Sequence, residues 1–431
     1  MSDIDLLIAG AGITGLYLGW YYLSLFPDRN VVILEKSSRI GGRIRTGNYQ
    51  GTYYEIGAGV VNSGNRLLLE IIRHFDLELK PLTSGFSYVS GFNRETLSYY
   101  EIMLTIAPVI VKLRLISMLI GDKASAQTTI ERLAKSYLSS QETEYLLRYL
   151  PYYSEVFIEN AYDGFRALDE FSPFRTIYLV KGGFEKLVNK IANSFIKKGG
   201  IILLNQPLHD FETKNKKISC LSLDKTFLTH QLVITINIMD LLRIPALRYI
   251  RSVIDRTRLN TEPLLRIYAV YPVDSSTGKV WFYNMDRIVT DLPLKLIIPI
   301  NEKKGLVMIS YTDGLYAKWW WPLVKQFDRD PAKLIEEIQS QVRQLFPDLD
   351  IPDPLWLEPY YWTDAGNFNK PNKEGLSGGE IYKLVNKCLS NNVKIVNNAT
   401  GPNKNWVEGS LEIVQEYLQT ILSTRGNVYV R

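Results

Sequence analysis

Ile4-Asp5-Leu6-Leu7-Ile8-Ala9-Gly10-Ala11-Gly12-Ile13-Thr14-Gly15 is the stretch whose reading decides the fold. Ile4 to Ala9 is a short apolar run, broken only by Asp5, of the kind a buried parallel strand needs. The glycines follow at once. Gly10 permits a tight turn, Gly12 lets the backbone approach a pyrophosphate, and Gly15 lets the following helix pack closely on the strand. Leu16, Trp20 and Leu23 continue at helical spacing, and Phe26-Pro27-Asp28 ends that helix. Val31 to Leu34 is the next strand, and Glu35 closes it. A carboxylate there accepts hydrogen bonds from both ribose hydroxyls of an adenosine. Strand, glycines, helix, strand and terminal acid in this order predict a dinucleotide-binding βαβ unit, which fits NAD or FAD.

The segment after Glu35 separates the two. It reads Lys36-Ser37-Ser38-Arg39-Ile40-Gly41-Gly42-Arg43-Ile44-Arg45-Thr46. Gly41 and Gly42 allow a close backbone approach, and Arg43 is suited to binding phosphate oxygens bidentately. This second glycine-arginine motif, with Glu55-Ile56-Gly57-Ala58 after it, resembles the flavin amine oxidase superfamily. That group includes monoamine and polyamine oxidases, protoporphyrinogen oxidase and phytoene desaturase. The resemblance implies an α/β fold: a Rossmann-like FAD-binding domain of the glycine-arginine flavoprotein type, with an interleaved α+β substrate domain. It implies FAD held by Gly10, Gly12, Ile13, Thr14, Gly15, Glu35, Lys36, Gly42, Arg43, Gly57 and Ala58.

The resemblance continues along the chain. Tyr178 to Phe184 resembles the family's glycine pair before a helix, and Leu187, Ile191 and Phe195 give that helix its spacing. Asn205-Gln206-Pro207-Leu208 resembles the segment whose backbone holds the adenine, with Leu208 at that position. Gln231 to Asn237 looks like the strand closing the middle segment, with Asn237 where the family usually has proline. Trp406-Val407-Glu408-Gly409-Ser410 matches an aromatic-x-Glu-Gly-small motif that opens the last helix. A helix start offers free N–H groups and a positive dipole end. In relatives these face the N1–O2 edge of the flavin, which makes Val407 and Glu408 backbone contributors. The expected FAD-binding domain therefore comprises residues 1–80, 176–240 and 375–425. The substrate domain comprises 81–175 and 241–374, and 426–431 is a tail.

The reacting end departs from the family in places. Trp406 matches one aromatic wall beside the substrate, and Phe368 is the candidate for the other, without the common tyrosine hydroxyl. The structural alternative for Phe368 is a core or loop anchor. Arg266 stands where many oxidases carry a water-holding lysine, or is a surface residue on its strand. Asn397-Asn398-Ala399 stands where relatives commonly have an Ala-Gly-Glu-type segment, so a carboxylate is missing. Asn367 occupies the place of the cysteine that binds flavin covalently in animal monoamine oxidases, so non-covalent FAD is expected. Cys388 reads as a buried small hydrophobe within a helix.

Composition sets outer limits. The chain has 431 residues, 46% of them hydrophobic, and a net charge of +5 spread along its length. That suits two or three domains and lacks the dense basic stripe of a nucleic-acid protein. Two cysteines make no disulfide framework, which suggests a reducing compartment and a cytoplasmic location. His74, His209 and His230 lack metal-site spacing, so no metal is expected. The first strand begins so early that no signal peptide is expected. The apolar stretch Ile102 to Ile120 contains Pro108, Lys112 and Arg114, and reads as a helical pair or bent helix with one buried face. Membrane contact is not expected, with a monotopic contact as the alternative. The leading functional expectation is an amine oxidase using a small-molecule amine and oxygen. The alternatives are a desaturase or dehydrogenase acting on an apolar substrate, and a non-catalytic protein that keeps the fold.

Overall fold

Alternate residues of the first strand face two different cores. Leu6 and Ile8 enter one cluster, while Ile4, Leu7 and Ala9 enter another. Such two-sided burial is what a continuous apolar run in a parallel strand requires. The computed structural model describes residues 3–82, 85–150, 152–169, 175–223, 225–401 and 403–424. The expected 426–431 tail lies outside the described residues.

Ile4–Ala9 lies between Val31–Leu34 and Lys225–Ile234, parallel to both. Ile201–Leu203 extends the sheet in parallel beyond Val31–Leu34, and Val393–Ile395 pairs in parallel with Lys225–Ile234. Antiparallel strands Lys217–Ser222 and Asp210–Lys214 finish the far edge. Helices Ile13–Leu25, Arg66–His74, Glu185–Lys197 and Val407–Thr424 supply the first cluster. Helices Ile238–Leu241, Ile250–Thr257 and Gly378–Lys387 supply the second. Helices on both faces of a mostly parallel sheet define the doubly wound α/β class.

The chain divides into two compact units. The first comprises Met1–Leu82, Asp169–Leu259 and Leu376–Arg431, and the second comprises Thr83–Leu168 and Asn260–Gly375. The third crossing falls at residue 259, where the sequence suggests about 240. Residues 241–259 stay with the first unit because Leu241, Leu247, Ile250 and Ile254 are buried in its second cluster.

The second unit has its own seven-stranded sheet. Its order is Trp356–Asn369, Leu259–Val270, Leu306–Asp313, Leu296–Asn301, Arg287–Thr290, Phe86–Val89 and Thr96–Leu97. Trp320 is fully buried there with Leu334, Ile338 and Val342 of helix Pro331–Leu345. The apolar stretch expected to form a helical pair or bent helix is a single helix, Tyr99–Ile120, with Pro108 inside it. Pro108 is accommodated on the exposed side, while Ile102, Ile106, Val109 and Leu113 face inward. Cys388 departs from its expected burial. It is exposed, because helix Gly378–Lys387 stops one residue before it.

Candidate functional site: a glycine turn braced by carboxylates

The glycine turn is built as its spacing requires. Gly10 sits at φ +107°, a conformation that L side chains rarely adopt, and a Cβ there would meet the Thr235 hydroxyl at 2.9 Å. A Cβ on Gly15 would lie 2.0 Å from the Gly10 carbonyl oxygen, so only glycine fits. Gly12 differs, because a Cβ there meets nothing within 4 Å. Gly12 is also the N-cap of helix Ile13–Leu25, with no side chain capping that end. Open space thus faces the first-turn amides around Ile13 and Thr14, which is the arrangement that binds a pyrophosphate.

Glu35 is fixed before any ligand arrives. Its carboxylate accepts from Ala11 N and from Ser37 N, both at 2.8 Å. A carboxylate has about four acceptor positions, so two bonds leave capacity for ribose hydroxyls. Gln206 N donates to the Glu35 carbonyl at 2.8 Å, which brings the Asn205–Leu208 segment alongside, and Leu208 is half-buried there. Lys36 forms an ion pair through its ammonium with Asp240.

The second glycine-arginine motif lies against the first glycine turn. Gly41 N donates to the Ala11 carbonyl at 2.8 Å, and Gly12 and Gly41 form a parallel bridge. Gly41 and Gly42 have φ of +99° and +56°, which explains two glycines in succession. Arg39 latches the loop from within by donating to the carbonyls of Ile40, Gly42 and Ile44. Arg43 is half-buried and donates to the Asn398 side-chain oxygen at 2.8 Å. Burial lowers the pKa of Arg43, though a guanidinium retains its charge. Ala58 N donates to the Arg43 carbonyl, and Gly57 N to that of Arg45, so the Glu55–Ala58 segment holds this loop in place.

Two acids that the sequence places beside the cofactor have side chains bonded elsewhere. Glu55 accepts from Phe184 N at 2.8 Å and from the Thr46 hydroxyl at 2.9 Å. Thr46 Oγ1 in turn accepts from Glu185 N. Glu55 thereby braces the start of helix Glu185–Lys197. Glu408 is buried, and its two oxygens accept from Leu67 N at 2.9 Å and Leu68 N at 2.8 Å. It caps helix Arg66–His74 from across the unit, satisfying amides that would otherwise lack intrahelical partners. Gly409 follows because a Cβ there would strike the Asn403 carbonyl oxygen at 1.6 Å. Val407 is buried at the first residue of helix Val407–Thr424, and Trp406 is half-buried before it. Asn397 donates to the Ile236 carbonyl at 3.1 Å and accepts from Thr400 N. Sequence reading identified these segments as motifs but missed the bonds of Arg39, Glu55, Asn398 and Glu408.

The other two candidates belong to the second unit. Arg266 faces Tyr311 across the strands Leu259–Val270 and Leu306–Asp313, its guanidinium 5.1 Å from the ring centre. Burial, offset in part by Arg266, pushes Tyr311 up to about 12. Phe368 is buried near the end of strand Trp356–Asn369. The next residue, Asn369, ties that end to helix Ala161–Asp169 by donating to Asp163 at 2.9 Å.

The donor set of the first unit fits FAD. It offers an open N-cap, uncapped first-turn amides, a buried carboxylate with acceptor capacity and a cationic loop. The comparisons agree. The flavin-containing amine oxidoreductase family matches residues 21–370. This chain belongs to that family. It is 34% identical over 95 residues to prenylcysteine oxidase 1 of Bos taurus, covering 22% of this chain and 18% of that one. It is 35% identical over 76 residues to an L-amino-acid oxidase of Crotalus adamanteus, covering 18% and 14% respectively. The matched stretches thus span less than a fifth of those relatives. In solved structures the fold recurs in a redesigned double mutant of putrescine oxidase, with a TM-score of 0.72 over 98% of this chain and 99% of that one. It also recurs in a protein assigned as a protoporphyrinogen oxidase from Exiguobacterium sp. 255-15, with a TM-score of 0.71 over 98% and 100%. Sequence identity to both is 14%, so that likeness concerns the fold.

Proposed function

We propose that the protein is an FAD-dependent amine oxidase that converts an amine, water and oxygen to an aldehyde or ketone, ammonia or a smaller amine, and hydrogen peroxide. The observation that carries this reading is the Trp406-Val407-Glu408-Gly409-Ser410 motif at a helix start, braced by the buried Glu408 bonds to Leu67 and Leu68. A motif held this rigidly keeps Trp406 and the helix-start amides in fixed positions. When bound, the flavin supplies the acceptor for the hydride equivalent and passes it to oxygen. Trp406 offers an aromatic face to a neutral amine through dispersion and its ring quadrupole. In the second unit the reading assigns Phe368 as a further apolar wall and Arg266 as the group that orients water.

Binding is non-covalent in this reading, so acid precipitation releases FAD into the supernatant. The test of function is peroxide release with mono-, poly- and amino-acid amines, together with anaerobic bleaching of the flavin band. Bleaching by an amine supports the proposal. A yellow protein that none of them reduces removes it.

A second reading, dehydrogenation of an apolar substrate, draws on the exposed apolar face of helix Tyr99–Ile120. Anaerobic bleaching by an apolar alcohol or polyene, and not by amines, would favour it.

A further inference from the structure

Lys295 is a buried lysine that the fold leaves without an ion pair among the described residues. It ends the loop between strands Arg287–Thr290 and Leu296–Asn301, and its backbone sits at φ +56°, in the left-handed region. Two bonds hold it there. Lys295 N donates to the Leu292 carbonyl at 3.0 Å, and Thr290 N donates to the Lys295 carbonyl at 2.8 Å. A non-glycine residue pinned in that conformation is uncommon, and such strain clusters at functional sites. The residue is 6% exposed. Its ammonium makes no hydrogen bond with any described residue and lies 4.6 Å from the centre of the Tyr316 ring. A lysine this buried is normally paired.

The ammonium is still within reach of solvent. Ser154 Oγ and Thr312 Oγ1 are unpartnered and sealed from water, and Lys295 Nζ is not among such atoms. Tyr316 and Asp291 form part of the wall of an open pocket of about 580 Å³, with Thr143, Leu147 and Arg148 of helix Ser140–Tyr149 in the same wall. The other charges here are engaged. Arg148 pairs with Glu95 and Glu144, Lys135 pairs with Glu131, and Asp291 accepts from Tyr88, Ser90 and Gly91.

We propose that Lys295 is a carbonyl-binding site, whose amine condenses with a small aldehyde or ketone entering from this pocket to give an imine. The nitrogen forms the new bond to carbon, the carbonyl oxygen leaves as water, and no oxidant or reductant is needed. Burial pushes the ammonium down to about 8, against the pull of Asp291 and Asp313, so a neutral nucleophile is present near neutral pH. A protonated imine carries the same single positive charge. The Tyr316 ring face and the two carboxylates that attract the ammonium therefore attract the product as well. Those carboxylates disfavour an anionic ligand. At pH 7 about a tenth of such an amine is neutral, against less than about one in a thousand of an ordinary lysine. Nucleophilicity falls with basicity and burial slows approach, which leaves an expected advantage of about tenfold.

The experiment is reductive trapping on the full-length FAD-loaded protein with limiting propanal and cyanoborohydride, followed by peptide mass spectrometry. Aldehyde supplied from outside makes the outcome independent of the oxidase reading. At pH 7 the propyl group should accumulate on Lys295 about tenfold faster than on exposed lysines such as Lys225 and Lys303, and the gap should close as pH approaches about 10. Equal or slower trapping at Lys295, a gap that pH does not change, or a Lys295 that is modified only after unfolding in urea overturns the proposal.

Discussion

Arg43 donates a hydrogen bond to the side-chain oxygen of Asn398 over 2.8 Å, although 355 residues separate them in sequence. The acceptor is neutral, where the family resemblance suggests a carboxylate in this segment. A neutral acceptor orients the guanidinium without offsetting its charge, which suits a residue meant for phosphate oxygens. Asn398→Asp should therefore hold Arg43 more tightly and weaken FAD binding by about tenfold, or roughly 1.4 kcal/mol. Titration of the apoprotein with FAD, followed by flavin fluorescence, measures this. Unchanged or tighter binding would remove Arg43 from the phosphate site.

Two glycines three residues apart should respond in opposite ways. Gly12→Ala places a methyl group in open space, so the apoprotein should keep its thermal transition within about 1 kcal/mol of the parent. The same methyl group occupies the space assigned to the pyrophosphate, and FAD affinity should fall at least about tenfold. Gly15→Ala forces a Cβ to 2.0 Å from the Gly10 carbonyl oxygen. It should destabilise the fold by about 3 kcal/mol or more, whether or not FAD is present. Thermal unfolding of apo and FAD-loaded forms separates the two outcomes. Matching losses of apo stability in both variants would contradict the assignment of Gly12.

Glu408 makes the last helix and helix Arg66–His74 depend on each other. Glu408→Gln puts an amide N–H₂ against one of two buried backbone N–H groups, where the carboxylate accepts from both. The expected loss is about 2–3 kcal/mol, lowering Tm by about 5–10 °C. Amide exchange at Leu67 and Leu68 should accelerate with it. If those amides stay as protected as in the parent, the carboxylate is not their cap.

These long-range bonds mark where sequence reading stops. Ile4–Ala9, the glycine turn and Val31–Leu34 were legible because strand period, glycine spacing and a terminal acid all act within a few dozen residues. The second glycine-arginine motif was legible for the same reason. The partners of Glu55 and Glu408 were not, because a side chain that caps a distant helix leaves no local spacing. The exposed face of Tyr99–Ile120 escaped for a different reason. Hydropathy reports how apolar a helix is and cannot say which face the rest of the chain covers. Cys388 was misplaced by one helical residue, which is enough to turn a side chain from core to solvent.

The second unit carries a pair of carboxyls that should show in its response to pH. Burial, and after it the charge of Asp313, pushes Glu155 up to about 8. Asp313 is also raised by burial, yet it accepts from Tyr153 N at 3.2 Å and Ser154 N at 2.8 Å. Those two donors make Asp313 the member that holds the negative charge, and Glu155 the member that keeps its proton. In the unfolded chain a glutamate ionises at about 4.3. As pH climbs from there towards 8, the unfolded state sheds a proton that the fold retains, so the fold loses stability across that window. Glu155→Gln replaces the protonated acid with a neutral side chain of the same shape. It should leave stability near pH 5 almost unchanged and raise it near pH 8, flattening the dependence of Tm on pH. Calorimetric scans of both proteins between these limits decide the matter. Parallel Tm profiles would show that Glu155 is ionised in the fold, and the assignment of the proton would move to Asp313.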